Sequence, residues 1–270
     1  MIPRDFITEW RARAPWVEDV QVEQDLVISR ALVDIFSHPQ LRDSLAFRGG
    51  TALYKLHVDP PARYSEDIDL VQIRAEPVGP TLDALRTVLD PWLGKSQWKQ
   101  TEGRVTLNYR FESEGIPPQR LRLKIEINSR EHFTVFGLIQ KPFAVSSRWF
   151  SGTADVTTYT FDELIGTKLR ALYQRRKGRD LFDLAVALKQ PYLDPAGVVA
   201  AFSHYVAMED STITRALFER NLAGKLDTPL FAADIGPLLS SGYRWNIHEA
   251  AQEVSTYLIK RLPGEAWKGE

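Results

Sequence analysis

Two aspartates separated by a single residue, Asp67 and Asp69, form the pattern that most directly suggests chemistry in this chain. Residues i and i+2 of a β-strand lie on the same face, so a strand over DIDLVQI would place both carboxylates side by side. Such a pair repels itself unless a cation neutralises it, and Mg²⁺ is the oxygen-binding cation that accompanies phosphate substrates. The alternative is a solvated strand edge whose acidic residues prevent aggregation.

A glycine pair, Gly49 and Gly50, precedes the aspartates and separates the short apolar segment SLAF from TALYKL. We predict a strand, a turn and a helix there, because glycine tolerates positive φ and has no side chain to block a ligand. Unsatisfied N–H groups at the start of such a helix bind anions, and Thr51 could cap the helix or donate its hydroxyl to phosphate. For the glycines alone, a tight turn without a ligand is the alternative.

Glu126 is a third candidate carboxylate and lies in the alternating segment QRLRLKIEINS. The alternation predicts a strand with one apolar face and one charged face, the latter including Glu126 and Lys124. If this strand lies beside the Asp-Ile-Asp strand, three carboxylates converge and could hold two metal ions for phosphoryl or nucleotidyl transfer. An ion pair of Glu126 with Lys124 or Arg122 is an equally good interpretation.

Cations gather in a later segment, KLRALYQRRKGRDLFDL. Lys168 and Arg175 are seven residues apart, about two helical turns, so they share a face of the predicted helix. The cations expected at the junction with the following helix are Arg175, Arg176, Lys177 and Arg179. Such a cluster fits a triphosphate or an RNA backbone, although a solvated turn between two helices would have a similar composition.

Asp180 and Asp183 lie three residues apart near the start of that second helix and share a face. They could orient Lys168, Arg175 or Arg179 through charge-assisted hydrogen bonds, although Asp180 would also favour a helix N-terminus without any ligand. Metal ligands must be fixed rigidly for in-line transfer, which favours strands. We therefore prefer Glu126 as the third metal ligand and expect a supporting role for the two helical aspartates.

The surrounding pattern predicts an α+β protein with two parts. Helical periodicity precedes the glycine turn, with apolar residues at Leu26, Val27, Ala31, Leu32, Ile35 and Phe36. RVTLNYRFE and DVTTYTF are expected to be strands, and TLDALRTVLDPWL a helix. From Asp162 onward the pattern is helical to the end. We expect a mixed β-sheet domain with flanking helices over residues 1–160 and a helical domain over residues 161–270.

Composition narrows the function classes. The chain has 270 residues, of which 44% are hydrophobic, and a formal net charge of -1, so any contact with nucleic acid must use local patches. It has no cysteine, which excludes disulfides and thiolate metal sites. No apolar run has the length of a membrane span, and the polar N-terminus lacks the apolar core of a signal peptide. We expect a soluble cytoplasmic protein.

The combination FRGGTALYKLH, RYSEDIDL and DELIGTKLRALYQRRKGRDLFDL resembles the AbiEii/AbiGii toxin family, within the DNA polymerase β-type nucleotidyltransferase superfamily. The resemblance covers about half the chain. It implies a nucleotidyltransferase domain over residues 1–160, with an N-terminal helical segment, and a helical domain over residues 161–270 that completes the nucleotide and acceptor cleft. The residues that match the first motif are Gly49, Gly50, Thr51, Ser65, Asp67 and Asp69. Those that match the second are Lys168, Arg175, Arg179, Asp180 and Asp183.

The resemblance implies transfer of a nucleoside monophosphate from an NTP with Mg²⁺ or Mn²⁺. Asp67, Asp69, Lys168 and Asp180, together with Glu126 on the superfamily pattern, would be catalytic. Binding of the nucleotide would fall to Gly49, Gly50, Thr51, Ser65, Arg175, Arg179 and Asp183. In related toxins the acceptor is the 3′ end of tRNA, and an antitoxin protein is the partner. A protein or small-molecule acceptor, or a nucleotide- or RNA-binding module without turnover, are the alternatives.

Overall fold

The computed structural model describes residues 2–115 and 117–269, which divide into two compact units, Met1–Tyr159 and Thr160–Glu270. The helices of the first unit are α1 (Arg4–Trp10), α2 (Asp19–Ser37), α3 (Pro39–Ser44), α4 (Gly49–Leu56) and α5 (Gly79–Leu93). Its strands are β1 (Leu45–Arg48), β2 (Asp67–Gln72), β3 (Gln97–Thr101), β4 (Arg104–Glu112), β5 (Arg120–Asn128), β6 (Leu138–Ser146) and β7 (Ser151–Tyr159).

Among the described residues, these seven strands form one mixed sheet in the order β3-β4-β5-β2-β1-β7-β6. The pairs β2–β5 and β1–β7 are parallel, and the other neighbours are antiparallel. The sheet and its flanking helices confirm the predicted α+β fold class. Strand β2 thus lies between β1, which leads into the glycine turn, and β5, which carries Glu126.

The core of the first unit lies where α2 packs against the sheet. All six apolar positions that the helical periodicity of this segment identified are buried. The inward face of the sheet is equally apolar, with Ile68 and Leu70 on β2 and Ile125 and Ile127 on β5 buried. Because side chains alternate along a strand, this burial turns the intervening polar residues of β2 and β5 to the opposite face.

Two strands escape prediction because they are the edges of the sheet. Every residue of β3 is exposed, so the strand has no apolar face to produce an alternating pattern. Strand β6 contains Pro142, which sequence reasoning takes as a sign against a strand, although edge strands tolerate proline. Both strands pair on one side only, which is consistent with their weak signal.

The second unit is helical. Its helices are α6 (Phe161–Gln174), α7 (Gly178–Leu188), α8 (Pro195–Ala207), α9 (Arg215–Leu226), α10 (Pro229–Ala233) and α11 (Ile247–Tyr257). Helix α6 begins at a cap in which the Thr160 hydroxyl accepts from the backbone N–H of Glu163, 3.4 Å away. The Glu163 carboxylate is buried and accepts a hydrogen bond from the Tyr205 hydroxyl of α8 at 2.9 Å. Of the described helices, none is both long and apolar enough to cross a membrane.

Helices α6 and α8 approach closely at Gly166. A Cβ atom at this position would lie 2.6 Å from the Cβ of Ala201 and 2.9 Å from the carbonyl oxygen of Val198. Gly224 of α9 is the opposite case, because a Cβ atom there would meet nothing within 4 Å. The two glycines therefore provide a matched pair within one helical unit.

We expect Gly166→Ala to lower the free energy of unfolding by about 1–3 kcal/mol, because the helices must separate to admit the methyl group. Gly224→Ala should raise it by about 0.4–1 kcal/mol, since alanine favours a helix and restricts the unfolded chain. Urea titration of both variants checks the packing. Equal effects of the two substitutions would contradict it.

Candidate active site

Three carboxylates meet on one face of the sheet. Strand β2 runs parallel to β5, with Asp67 beside Lys124 and Asp69 beside Glu126. All four side chains are partly exposed, whereas their neighbours along each strand are buried. The strand pairing on which the three-carboxylate interpretation depends is therefore present, and it places Asp67, Asp69 and Glu126 on adjacent strands with the same orientation.

Lys124 lies between two of these carboxylates. Its Nζ atom is 3.1 Å from Asp67 Oδ2 and 3.1 Å from Glu126 Oε2. Burial alone would lower the pKa of Lys124, but the two carboxylates outweigh it and hold the pKa above its ordinary value. Glu126 also contacts Arg104 of β4, whose Nε atom lies 3.2 Å from Oε1. The sequence left open whether Glu126 pairs with Lys124 or Arg122, and the contact is with Lys124.

The glycine turn fits tightly against the same cluster. Gly49 has φ +83°, a conformation that residues with a side chain rarely adopt, and a Cβ atom there would lie 2.1 Å from Asp69 Oδ2. Helix α4 begins at this residue and has no side-chain hydrogen bond at its N-cap, Arg48. The helix therefore starts directly beside the Asp69 carboxylate. Its first N–H groups have no partner within the helix and can bind an anion there.

Thr51 and Ser65 fasten this helix to the strand. Thr51 is buried, and its hydroxyl donates to the backbone carbonyl of Asp67 and lies 2.9 Å from the Ser65 hydroxyl. These contacts join the first turn of α4 to the start of β2. They give Thr51 a positioning contact in place of the cap or free hydroxyl that its sequence position suggested.

Two arginines that sequence reasoning missed surround the turn. Arg48 lies directly opposite Asp69 in the pairing of β1 with β2, and its side chain forms an ion pair with Glu131. Arg63 is buried, donates to the carbonyl of Tyr64 at 2.8 Å, and lies so close to Gly50 that a Cβ there would be 2.4 Å from its guanidinium. Arg48 directly precedes the glycines, and Arg63 lies two residues before Ser65. This proximity to the motifs was the available sign that the two arginines belong to the site.

The donor set suits a divalent metal in its chemistry. Carboxylate oxygens on rigid strands are the ligands that Mg²⁺ prefers, and one amino group already reaches two of them at hydrogen-bonding distance. With the side chains in this arrangement, no group of three or more potential ligands within residues 2–115 and 117–269 is close enough to hold an ion. Asp67, Asp69 and Glu126 are the residues that would hold a metal ion, in competition with the Lys124 amino group.

The second unit contains a separate buried charge network. Lys168 is 6% exposed, and its Nζ atom lies 2.8 Å from Asp183 Oδ2 and 3.5 Å from Asp180 Oδ1. Arg175 makes a bidentate contact with Asp180, at 2.6 and 2.8 Å. Both aspartates are fully buried. A supporting role for Asp180 and Asp183 requires such contacts, because each carboxylate forms an ion pair with at least one cation.

Arg179 is oriented differently. Its Nε atom lies 3.5 Å from Asp234, which also accepts from the Arg179 backbone N–H at 3.2 Å. Lys225, which sequence reasoning missed, donates to the backbone carbonyls of Leu172 and Tyr173 at the end of α6. Burial lowers the pKa of Lys225 to about 8. It thus closes the C-terminus of the helix that carries Lys168.

Comparison with known proteins gives both units a family. The model for "Nucleotidyl transferase AbiEii toxin, Type IV TA system" matches residues 30–253. MenT4, the nucleotidyltransferase toxin Rv2826c from Mycobacterium tuberculosis H37Rv, is 16% identical with a TM-score of 0.65, over 98% of this chain and 91% of that chain. A structure from H. pylori described as a nucleotidyltransferase is 18% identical with a TM-score of 0.54, over 89% of this chain and 94% of that chain. No curated protein matches the chain by sequence.

At these identities the solved structures establish a shared fold, and the family match establishes the relationship. The matched residues 30–253 include the glycine turn, the Asp67–Asp69 pair, Glu126 and the network around Lys168. As the resemblance of its motifs predicts, the chain belongs to the AbiEii family of nucleotidyltransferase toxins from type IV toxin–antitoxin systems.

Proposed function

We propose that this toxin transfers a nucleoside monophosphate from an NTP to the 3′ end of tRNA, in a Mg²⁺-dependent reaction that blocks translation in the cytoplasm. The observation that carries the proposal is the placement of Asp67, Asp69 and Glu126 on adjacent strands and one sheet face, beside the N-terminus of α4. A scaffold gains nothing from like charges on adjacent strands, whereas phosphoryl chemistry needs them.

Asp67, Asp69 and Glu126 would hold the metal, which when bound would neutralise charge on the phosphates and orient the acceptor oxygen. The Gly49–Gly50 turn would receive the triphosphate, because its bare backbone lets an anion approach the helix N–H groups. The acceptor hydroxyl would form the new bond to the α-phosphorus as the bond to pyrophosphate breaks.

On the family motif, Lys168, Arg175 and Arg179 would supply further positive charge for the phosphates. Asp183 and Asp180 fix Lys168, and Asp180 fixes Arg175 in a planar two-point contact. A preorganised cation stabilises developing negative charge without having to reorient during the reaction. In this proposal the carboxylates of the second unit position cations, and those of the first unit hold the metal.

Growth of a bacterium that expresses the chain without its antitoxin tests the proposal. The wild type should arrest growth, and Asp67→Ala or Asp69→Ala should relieve the arrest because each removes a metal ligand. Both variants should remain folded, because both side chains are partly exposed and each substitution relieves repulsion with the other carboxylate. Loss of the Asp67–Lys124 ion pair changes stability by about 1 kcal/mol or less. Asp43→Ala, at a residue 65% exposed, is the control and should stay toxic. Equal toxicity of the wild type and both site variants would rule out the enzymatic proposal.

Glu126 and Asp180 should respond differently to neutralisation. Glu126→Gln should abolish metal-dependent turnover and leave nucleotide affinity largely intact, because it removes a metal ligand from a rigid strand. Asp180→Asn should weaken nucleotide or acceptor affinity and retain partial turnover at saturating substrate, because Arg175 and Lys168 lose a charged partner. Nucleotide titration and single-turnover rates separate the two. If Glu126→Gln turns over normally and Asp180→Asn has no activity, the third metal ligand is on the helix and not on β5.

Lys124 should compete with the metal. Lys124→Met removes a cation that lies 3.1 Å from both Asp67 and Glu126, so Mg²⁺ or Mn²⁺ should bind more tightly than to the wild type. Lys95→Met, at an exposed residue of the loop before β3, removes the same charge farther from the cluster and should leave metal affinity unchanged. Calorimetric titration measures both. Weaker or unchanged metal binding by Lys124→Met would show that the metal does not occupy this space.

A further inference from the structure

The open face of the sheet continues beyond the carboxylates as a positively charged surface. On β5, Arg120 and Arg122 lie on the same face as Lys124 and Glu126, and on β4 Arg110 lies directly opposite Arg122. All three arginines are exposed, whereas Leu123 and Phe111 between them are buried. We call Arg110, Arg120 and Arg122 the arginine ladder.

The ladder has an unusual electrostatic arrangement. Like charges directly opposite in an antiparallel pair are destabilising, and Arg110 and Arg122 form such a pair. Among residues 2–115 and 117–269, no side chain forms an ion pair or hydrogen bond with any of the three guanidinium groups. Glu112 lies opposite Arg120 but is also exposed and forms no ion pair within the same ranges. An external anion that binds both Arg110 and Arg122 would relieve the repulsion between their guanidinium groups.

The ladder lies on the same sheet face as the carboxylates. Arg122 precedes Lys124 by two residues and Glu126 by four, which corresponds to about 7 and 13 Å along the strand. A polymer that presents its end to the carboxylates must cross a neighbouring surface, and this face is contiguous with them. Guanidinium groups match phosphate in a planar two-point contact, and Asn108 and Thr106 of β4 add neutral hydrogen-bonding groups directly opposite Lys124 and Glu126.

We propose that the arginine ladder binds the phosphate backbone of the RNA acceptor and guides its 3′ end to Asp67, Asp69 and Glu126. The inference rests on the proposed function and specifies where its acceptor lies. The chain has a net charge of -1 and a carboxylate cluster at its centre, so a polyanion approaches only where local cations offset that charge. The ladder supplies three such cations on one strand pair.

The test is the double variant Arg110→Gln/Arg122→Gln, with Arg42→Gln/Arg74→Gln as a control of equal charge. Arg42 is partly exposed and Arg74 exposed, both belong to the same unit, and their ion pairs are with exposed carboxylates. Binding of total tRNA is measured by fluorescence anisotropy over a salt series in an Asp69→Ala background, and NTP affinity and tRNA labelling are measured without that substitution. The ladder variant should lose about tenfold or more in RNA affinity, and the salt slope should fall by about 1.4–1.8 for two phosphate contacts. NTP affinity should not change, and the control should behave as the parent does.

Other outcomes overturn the inference and separate its failure from that of the proposed function. If the wild type labels tRNA and the ladder variant binds and labels it equally well, the acceptor lies elsewhere and the proposed function stands. If the variant loses NTP affinity, the ladder binds the triphosphate. If it labels tRNA normally but escapes its antitoxin, the surface belongs to a protein partner. If the wild type binds no tRNA and labels none, both proposals fail.

Discussion

Repulsion among carboxylates on adjacent strands is the constraint around which this structure is organised. Parallel pairing of β2 with β5 brings Asp69 beside Glu126 and leaves Asp67 two residues away on the same face. Such a cluster is stable only if cations compensate it, and the fold supplies Lys124 within it, Arg104 at one side and Arg48 at the other. The apolar residues between the carboxylates lie in the core, so the strands cannot slip to relieve the repulsion without exposing them.

The glycine turn follows from the same constraint. Helix α4 must begin directly beside Asp69, and only a residue without a side chain fits there, with the positive φ of Gly49. The hydroxyl of Thr51 and the guanidinium of Arg63 then fix the turn from behind. The result is a site in which a helix N-terminus, which attracts anions, adjoins carboxylates that attract metal ions. A nucleoside triphosphate with its metal combines both charges.

The sequence predicts the backbone geometry of this candidate site well because its signals are local. Asp-Ile-Asp within an apolar strand and Gly-Gly between a strand and a helix each specify a backbone geometry, and the alternation around Glu126 specifies its face. The sequence could not predict which strands are neighbours, because the β2–β5 pairing joins segments more than fifty residues apart and depends on the whole sheet. It also missed β3 and β6, whose edge positions remove the apolar periodicity that identifies a strand.

Side-chain partners were harder to predict than backbone elements. Lys124 was recognised as a possible partner of Glu126, but its simultaneous contact with Asp67 depends on strand register. Asp180 and Asp183 were expected to orient cations, and they contact Lys168 and Arg175, whereas Arg179 binds Asp234 of a segment that carried no signal. Arg48 and Arg63 lie within the recognised motifs, but their roles arise from tertiary contacts. Local patterns thus identified the candidate residues, and the fold determines which charges neutralise which.

Transfer of label from each α-³²P-labelled NTP to total tRNA is the measurement that tests the central claim most directly. The account predicts that at least one nucleotide labels the RNA at its 3′ end, and that EDTA or the Asp69→Ala substitution abolishes the labelling. Absence of transfer with every NTP, or labelling that persists in EDTA or in Asp69→Ala, would contradict it.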